Sequence, residues 1–177
     1  HGDVPTVRGA AIIADGGNVV WQLKIEKKFA SSPMRIGVQH PQVRVGLNWN
    51  DRMCVGKAWY MDSQGDMYDG PNIYTETDAE YKAGDLVQIS LGYNRLTYSI
   101  NGTKVRGELE GIKGEVQLAV QLFHKGDRIV LVSQHVPSEE EEEELEQQEE
   151  QRHQQFLEKK QKDMEREERE LQEKRDK

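Results

Sequence analysis

Leu96-Thr97-Tyr98-Ser99-Ile100-Asn101-Gly102-Thr103-Lys104-Val105 is the stretch that decides how this chain is read. Leu96, Tyr98 and Ile100 alternate with Thr97 and Ser99, the two-residue period of a half-buried strand. Asn101-Gly102 then interrupts the run. A type I′ turn needs φ > 0 at both of its central residues, and Asn followed by Gly tolerates that best. A second extended run starts at Thr103. The stretch predicts a β-hairpin.

The same grammar extends in both directions. Val19–Ile25 places Val19, Trp21, Leu23 and Ile25 on one face, and Met34–Val38 does so with Met34, Ile36 and Val38. Leu86–Leu91 alternates through Gln88 and Ser90, while Val116–Phe123 and Ile129–Val132 are two further strands joined through Lys125-Gly126-Asp127. Clusters of Gly, Pro, Asn and Asp separate the runs, and no helical period is present before residue 138. Short strands punctuated in this way predict an all-β, antiparallel β-sandwich.

Charge divides the chain. Residues 1–136 carry 15 basic and 15 acidic side chains, whereas 137–177 carry 9 and 17, the whole net charge of −8. All 16 Gly and all three Trp lie in the first part. We therefore expect a compact domain over 1–136, an acidic linker or helix start over 137–151, and a charged α-helix over 152–177. Ser138 suits a helix N-cap, and Glu139–Glu144 suit the positive end of the helix dipole but repel one another. Glu158–Lys162, Glu165–Arg169 and Glu170–Lys174 are acid-to-base pairs at i, i+4. Leu157, Met164 and Leu171 fall seven apart, but the second seam position is polar, which is thin for a tight coiled coil. A solvated helix that docks through Phe156, Leu157, Met164 and Leu171 is the expected object. The chain starts at His1 rather than Met and stops at Arg175-Asp176-Lys177 without a helix-ending Gly or Pro, so it is read as a piece of a longer protein.

The first part carries, in order, Gly16-Gly17, Trp21-Gln22-Leu23, Ile36-Gly37-Val38, Ala58-Trp59-Tyr60-Met61-Asp62, Gly65 and Tyr68-Asp69-Gly70. Tyr81, Gly84-Asp85-Leu86-Val87, Leu96–Gly102 and Leu118-Ala119-Val120-Gln121-Leu122 follow. In this ordered series the chain resembles the SPRY domain, the C-terminal portion of B30.2 modules. The resemblance spans roughly residues 16–133. It implies a concanavalin-like jelly roll that binds peptides or protein surfaces through loops at one end. Trp21 and Trp59 suit the interior of such a sandwich. Three positions depart from the pattern. Tyr98 stands where Phe is usual and brings a hydroxyl that needs a partner. Gln88 replaces Gly, and Gly92 replaces Asp, which reshapes the loop at Gly92-Tyr93-Asn94-Arg95. The PRY half is missing or lies upstream.

Little supports catalysis, and no enzymatic activity is expected. Gly107, Gly111 and Gly114 have neither the spacing nor the Lys-Ser/Thr of a phosphate loop. His1, His40, His124, His135 and His153 are scattered singly, so no metal site is expected. Asp62, Asp66 and Asp69 read as a solvated loop without the ligand order of a calcium site. The lone Cys54 excludes an internal disulfide and reads as a small buried hydrophobe. No cofactor is expected. With a neutral domain and an acidic tail, no nucleic acid is expected as partner, and no apolar run is long enough for a membrane.

Recognition of proteins is what remains. Aromatic and arginine residues in turns are the candidates, because these types dominate binding hot spots. They are Trp49, Asp51 and Arg52; Tyr74, in the turn-like Pro71–Tyr74; and Tyr93 with Arg95. Core packing is the alternative for Trp49. The expected function is a non-catalytic protein-interaction module, an adaptor or scaffold, with a helical or filamentous protein as partner of the C-terminal helix. The alternatives are a purely structural component of a cytoskeletal or other large complex, and the substrate-recognition part of a ubiquitin-ligase adaptor. A cytoplasmic setting is expected, with association to the cytoskeleton as an option within it.

Overall fold

The computed structural model describes residues 4–175. The chain divides between Val136 and Pro137 into two units. The first is a sandwich of two antiparallel sheets. One sheet has the order β1 (Thr6–Arg8), β10 (Gln117–Leu122), β3 (Met34–Gln39), β4 (Ala58–Asp62), β5 (Met67–Asp69), β6 (Asn72–Thr75). The other has the order β11 (Arg128–His135), β2 (Val19–Lys27), β7 (Leu86–Gly92), β8 (Arg95–Ile100), β9 (Thr103–Lys104). The fold class is therefore the one read from the sequence.

Between the sheets lies a core built from the alternating residues. Trp21, Leu23, Ile25, Val87, Ile89, Leu96 and Tyr98 face Met34, Ile36, Val38, Trp59, Met61 and Val120. Full burial of side chains of this size contributes about 1.5–3 kcal/mol each before the entropy of ordering is subtracted. Polar atoms in this layer are bonded. The Tyr98 hydroxyl donates to the Ile36 carbonyl at 2.8 Å, and the Tyr81 hydroxyl lies 2.7 and 3.0 Å from the carbonyls of Met34 and Met61. The extra hydroxyl at position 98 thus pins one sheet to the other.

The hairpin at Asn101-Gly102 is present, with φ of 51° and 81° at its two central residues. A second two-residue turn joins β7 to β8, with Tyr93 and Asn94 at φ 51° and 58° and Gly92 paired with Arg95. Asp85 braces the turn of the first hairpin. Its carboxylate accepts from the Lys82 amide at 2.9 Å and from the Asn101 side chain at 2.9 Å, and Asn101 accepts in turn from the Leu86 amide.

Four strands escaped the periodic reading: β1, β4, β5 and β6. β4 is buried at Ala58, Trp59, Tyr60 and Met61, so it has no alternation to detect. Asp62 and Asp69 end β4 and β5 rather than forming a loop with Asp66. Pro71–Tyr74 is likewise not a turn, since Asn72–Thr75 is the edge strand β6. β11 runs to His135, beyond Val132, because Gln134 and His135 still pair with Trp21 and Val20 after a bulge.

The second unit is one helix, α1 (Glu139–Arg175), 37 residues long and about 55 Å at the usual rise per residue. The acidic run is part of the helix from its first turn. Ser138 caps it reciprocally: the Glu141 amide donates to the Ser138 hydroxyl at 3.3 Å, and the Ser138 amide donates to the Glu141 carboxylate at 2.8 Å. This is a capping box.

Candidate protein-binding surface

The outer face of the six-stranded sheet carries a second core. Gly37, Tyr60, Tyr68 and Ile73 are successive cross-strand partners on that face. The connection of residues 40–57 folds over it, burying Val43, Trp49, Cys54, Ala58, Tyr60 and Ala119 together. The close approach depends on Gly37. A Cβ there would lie 2.0 Å from the Trp59 carbonyl oxygen and 2.6 Å from the Tyr60 Cα, so only hydrogen fits.

Trp49 is the plug of this second core. It is 0% exposed, and its indole donates to the Gln39 side-chain oxygen at 2.9 Å. Its ring meets Tyr60 at 5.1 Å, and Tyr60 stacks on Tyr68 at 5.0 Å. As a candidate contact residue Trp49 is corrected to a core residue: an aromatic ring this large gains more by covering the sheet than by facing water. The Gln121 carboxamide holds the loop as well. Its oxygen accepts from the Trp49 amide at 3.2 Å, and its nitrogen donates to the Leu47 carbonyl at 2.7 Å.

Arg35 stands beside this plug. Its Nη1 donates to Asn48 at 2.6 Å and to Gln121 at 3.2 Å. Its guanidinium carbon lies 4.7 Å from the Phe123 ring centre and 5.1 Å from that of Tyr60. Cys54 is buried in the same layer. Burial first, and the Asp51 carboxylate second, push its thiol up to about 11. Asp51 accepts the Met53 amide at 2.8 Å and so caps the short 3-10 turn Arg52–Cys54. Arg52 is exposed, as are Met53 and Val55.

The other candidates occupy the β6 edge and the β7–β8 turn. Tyr74 is exposed on β6, and its hydroxyl is pushed upward by partial burial and by a hydrogen bond and charge from Glu110. Arg95 lies 3.8 Å from Glu108 and 3.7 Å from Glu110. Tyr74 and Arg95, distant in sequence, therefore meet at Glu110. Tyr93 is exposed at the turn tip. Asp51 and Arg52 belong instead to the covering loop.

Two features had no signal in the sequence. One is the set Arg35, Gln39 and Gln121, polar residues on the outer faces of interior strands, which alternation reads as solvated. The other is a groove of about 1020 Å³ between the two sheet edges, lined among others by Asp66, Thr75, Asp78, Lys104 and Arg106. It is assembled from segments far apart in the chain.

On α1, Phe156, Leu157, Met164 and Leu171 are all exposed. Arg169 pairs with Glu165 at 4.0 Å, as the spacing predicted, and Arg166 with Glu170 at 3.8 Å. Among the described residues no helix is long and apolar enough to cross a membrane, and no group of three His, Cys, Asp or Glu is placed to hold a metal ion.

No family model and no curated protein matches this chain. Solved structures do. The SPRY domain of human HERC1 superposes with a TM-score of 0.61 at 16% identity, covering 71% of this chain and 80% of that one. A second human SPRY domain superposes with a TM-score of 0.61 at 13% identity, covering 74% and 85%. At such identities the likeness is one of fold, and the fold of the first unit is that of SPRY domains.

Proposed function

We propose that the first unit is a non-catalytic protein-interaction module and that α1 docks it within a larger assembly in the cytoplasm. The observation that carries this reading is the covering loop of residues 40–57. It is fastened to the sheet by Trp49, Gln39, Gln121 and Arg35, yet it turns Arg52, Met53 and Val55 outward. A loop held by its own core presents a preorganised surface, so little ordering entropy is lost on binding. The SPRY fold supports the same reading, since SPRY domains bind protein ligands.

The helix has a different part. Four exposed apolar residues on an otherwise charged helix bury too little to drive tight self-pairing, yet they suit a groove on another protein. That supports docking to a helical or filamentous partner and keeps open the cytoskeletal reading in which the sandwich is a fixed lobe.

Cross-linking and pull-down with the full chain, followed by Arg52→Ala, Tyr74→Ala and Tyr93→Ala, tests the first part. Loss of a captured protein in at least one folded variant is expected. Normal capture by all three would move recognition to another face. Replacing Leu157, Met164 and Leu171 together by Ser tests the second part. Unimpaired incorporation into the native complex would leave α1 as a spacer.

A further inference from the structure

Arg35 is a half-buried cation whose partners are neutral. Both hydrogen bonds of its guanidinium leave from Nη1 and end on amide oxygens of Asn48 and Gln121. The rings of Tyr60 and Phe123 both lie within cation–π distance of it. Among the described residues no carboxylate lies within ion-pair distance of it. Asp62 is its cross-strand neighbour, but that carboxylate is engaged elsewhere, accepting the amides of Gln64 and Asp66 at 3.0 Å each and a hydrogen bond from the Tyr68 hydroxyl.

A charge withdrawn from water is normally compensated by an opposite charge. The remaining Nε and Nη2 donors of Arg35 have no partner among the described residues, and no unpartnered side-chain nitrogen is sealed from solvent. They therefore open to the surface. Contact with the two rings restrains the guanidinium without consuming these donors. A planar fork held in this way matches a carboxylate through two parallel bonds. A phosphate monoester offers a matching pair of oxygens as well, and a phosphoserine peptide is the competing ligand.

We propose that Arg35, flanked by Phe123 and Tyr60, is a receptor for an aspartate or glutamate side chain of an acidic peptide segment. This rests on the reading of the first unit as a protein-binding module and names the chemistry of its partner. It also gives Asn48 a second role: by engaging Nη1 it holds the fork with its other edge outward.

The test uses the full chain and a blocked hexapeptide of alternating glutamate and aspartate, followed by the nuclear resonance of the Arg35 Nε–H. That signal should shift saturably with the acidic peptide and stay still with the glutamine–asparagine counterpart. Arg35→Lys, which keeps the charge but loses the fork, should weaken the peptide by about tenfold or more, and Phe123→Ala should weaken it less. If Arg35→Lys does not fold, the wild-type Nε signal alone decides. An unmoved Arg35 signal, or equal binding of the neutral peptide, overturns the proposal. A phosphoserine peptide that shifts the signal where the carboxylate peptide does not would overturn it as well. Capture of a protein partner that Arg35→Lys leaves intact would sink this site while the module reading stands.

Discussion

The indole Nε1 of Trp49 donates to the side-chain oxygen of Gln39 at 2.9 Å, which ties the connection of residues 40–57 to the outward side of an interior strand. Gln39 is itself fully buried and donates to the Val43 carbonyl at 3.4 Å. One glutamine thus bonds the loop at two points, and the sheet that would otherwise be wet on its outer face is dry there. The candidate binding surface is built on this second layer.

Trp49→Ala should therefore destabilise the first unit by about 3–5 kcal/mol, the cost of removing a large buried ring, and Trp21→Ala in the central core by a similar amount. Chemical denaturation of both variants checks this. A change below about 1 kcal/mol for Trp49→Ala would mean that the loop lifts off the sheet without loss.

Gly37→Ala should be at least as damaging as a typical overpacked core, more than about 3 kcal/mol. The added carbon would overlap backbone of β4, which has no side-chain freedom with which to yield. Soluble expression of a fully folded Gly37→Ala protein would show that β3 and β4 can separate locally.

Cys54 should be inert. It is 0% exposed, and its thiol is pushed up to about 11, so at pH 8 a thiol reagent should modify it only after denaturant is added. The sign of the pH effect follows. Above the ordinary value of 9.0 the unfolded thiol ionises while the folded one stays protonated. The stability this group contributes is complete below pH 9 and falls as pH rises from there through about 11. Cys54→Ala should flatten stability over that window, as read from denaturation midpoints. Rapid labelling of the native protein would contradict the burial.

The helix should behave as a solvated strut. A peptide of residues 138–175 should be largely helical and monomeric, losing helicity as salt screens pairs such as Glu165–Arg169. Ser138→Ala should weaken its first turn by about 1 kcal/mol, the usual value of an N-cap. Circular dichroism and sedimentation give both answers, and a stable dimer at micromolar concentration would identify a self-associating coiled coil instead.

The sandwich class, the Asn101-Gly102 hairpin and the separation of a charged helix after Pro137 are legible in the sequence, because each leaves a local signal. Alternation at Trp21, Leu23 and Ile25, paired tolerance of positive φ, and a capping Ser138 followed by acids can be read within a few neighbouring residues. What covers the outer sheet face follows from the packing of the folded chain. β3 and β10 are buried on both sides, yet the alternation of β3 marks Arg35 and Gln39 as solvated, so periodicity hides the second dry face. Gln121 is distant in the chain from Arg35 and Trp49, 86 and 72 residues away, and these residues acquire their roles only when β10 packs beside β3 under the covering loop. The same holds for Tyr74 and Arg95, which meet at Glu110. Periodicity reports which side of a strand is dry, while the identity of the covering segment depends on how distant parts of the chain pack.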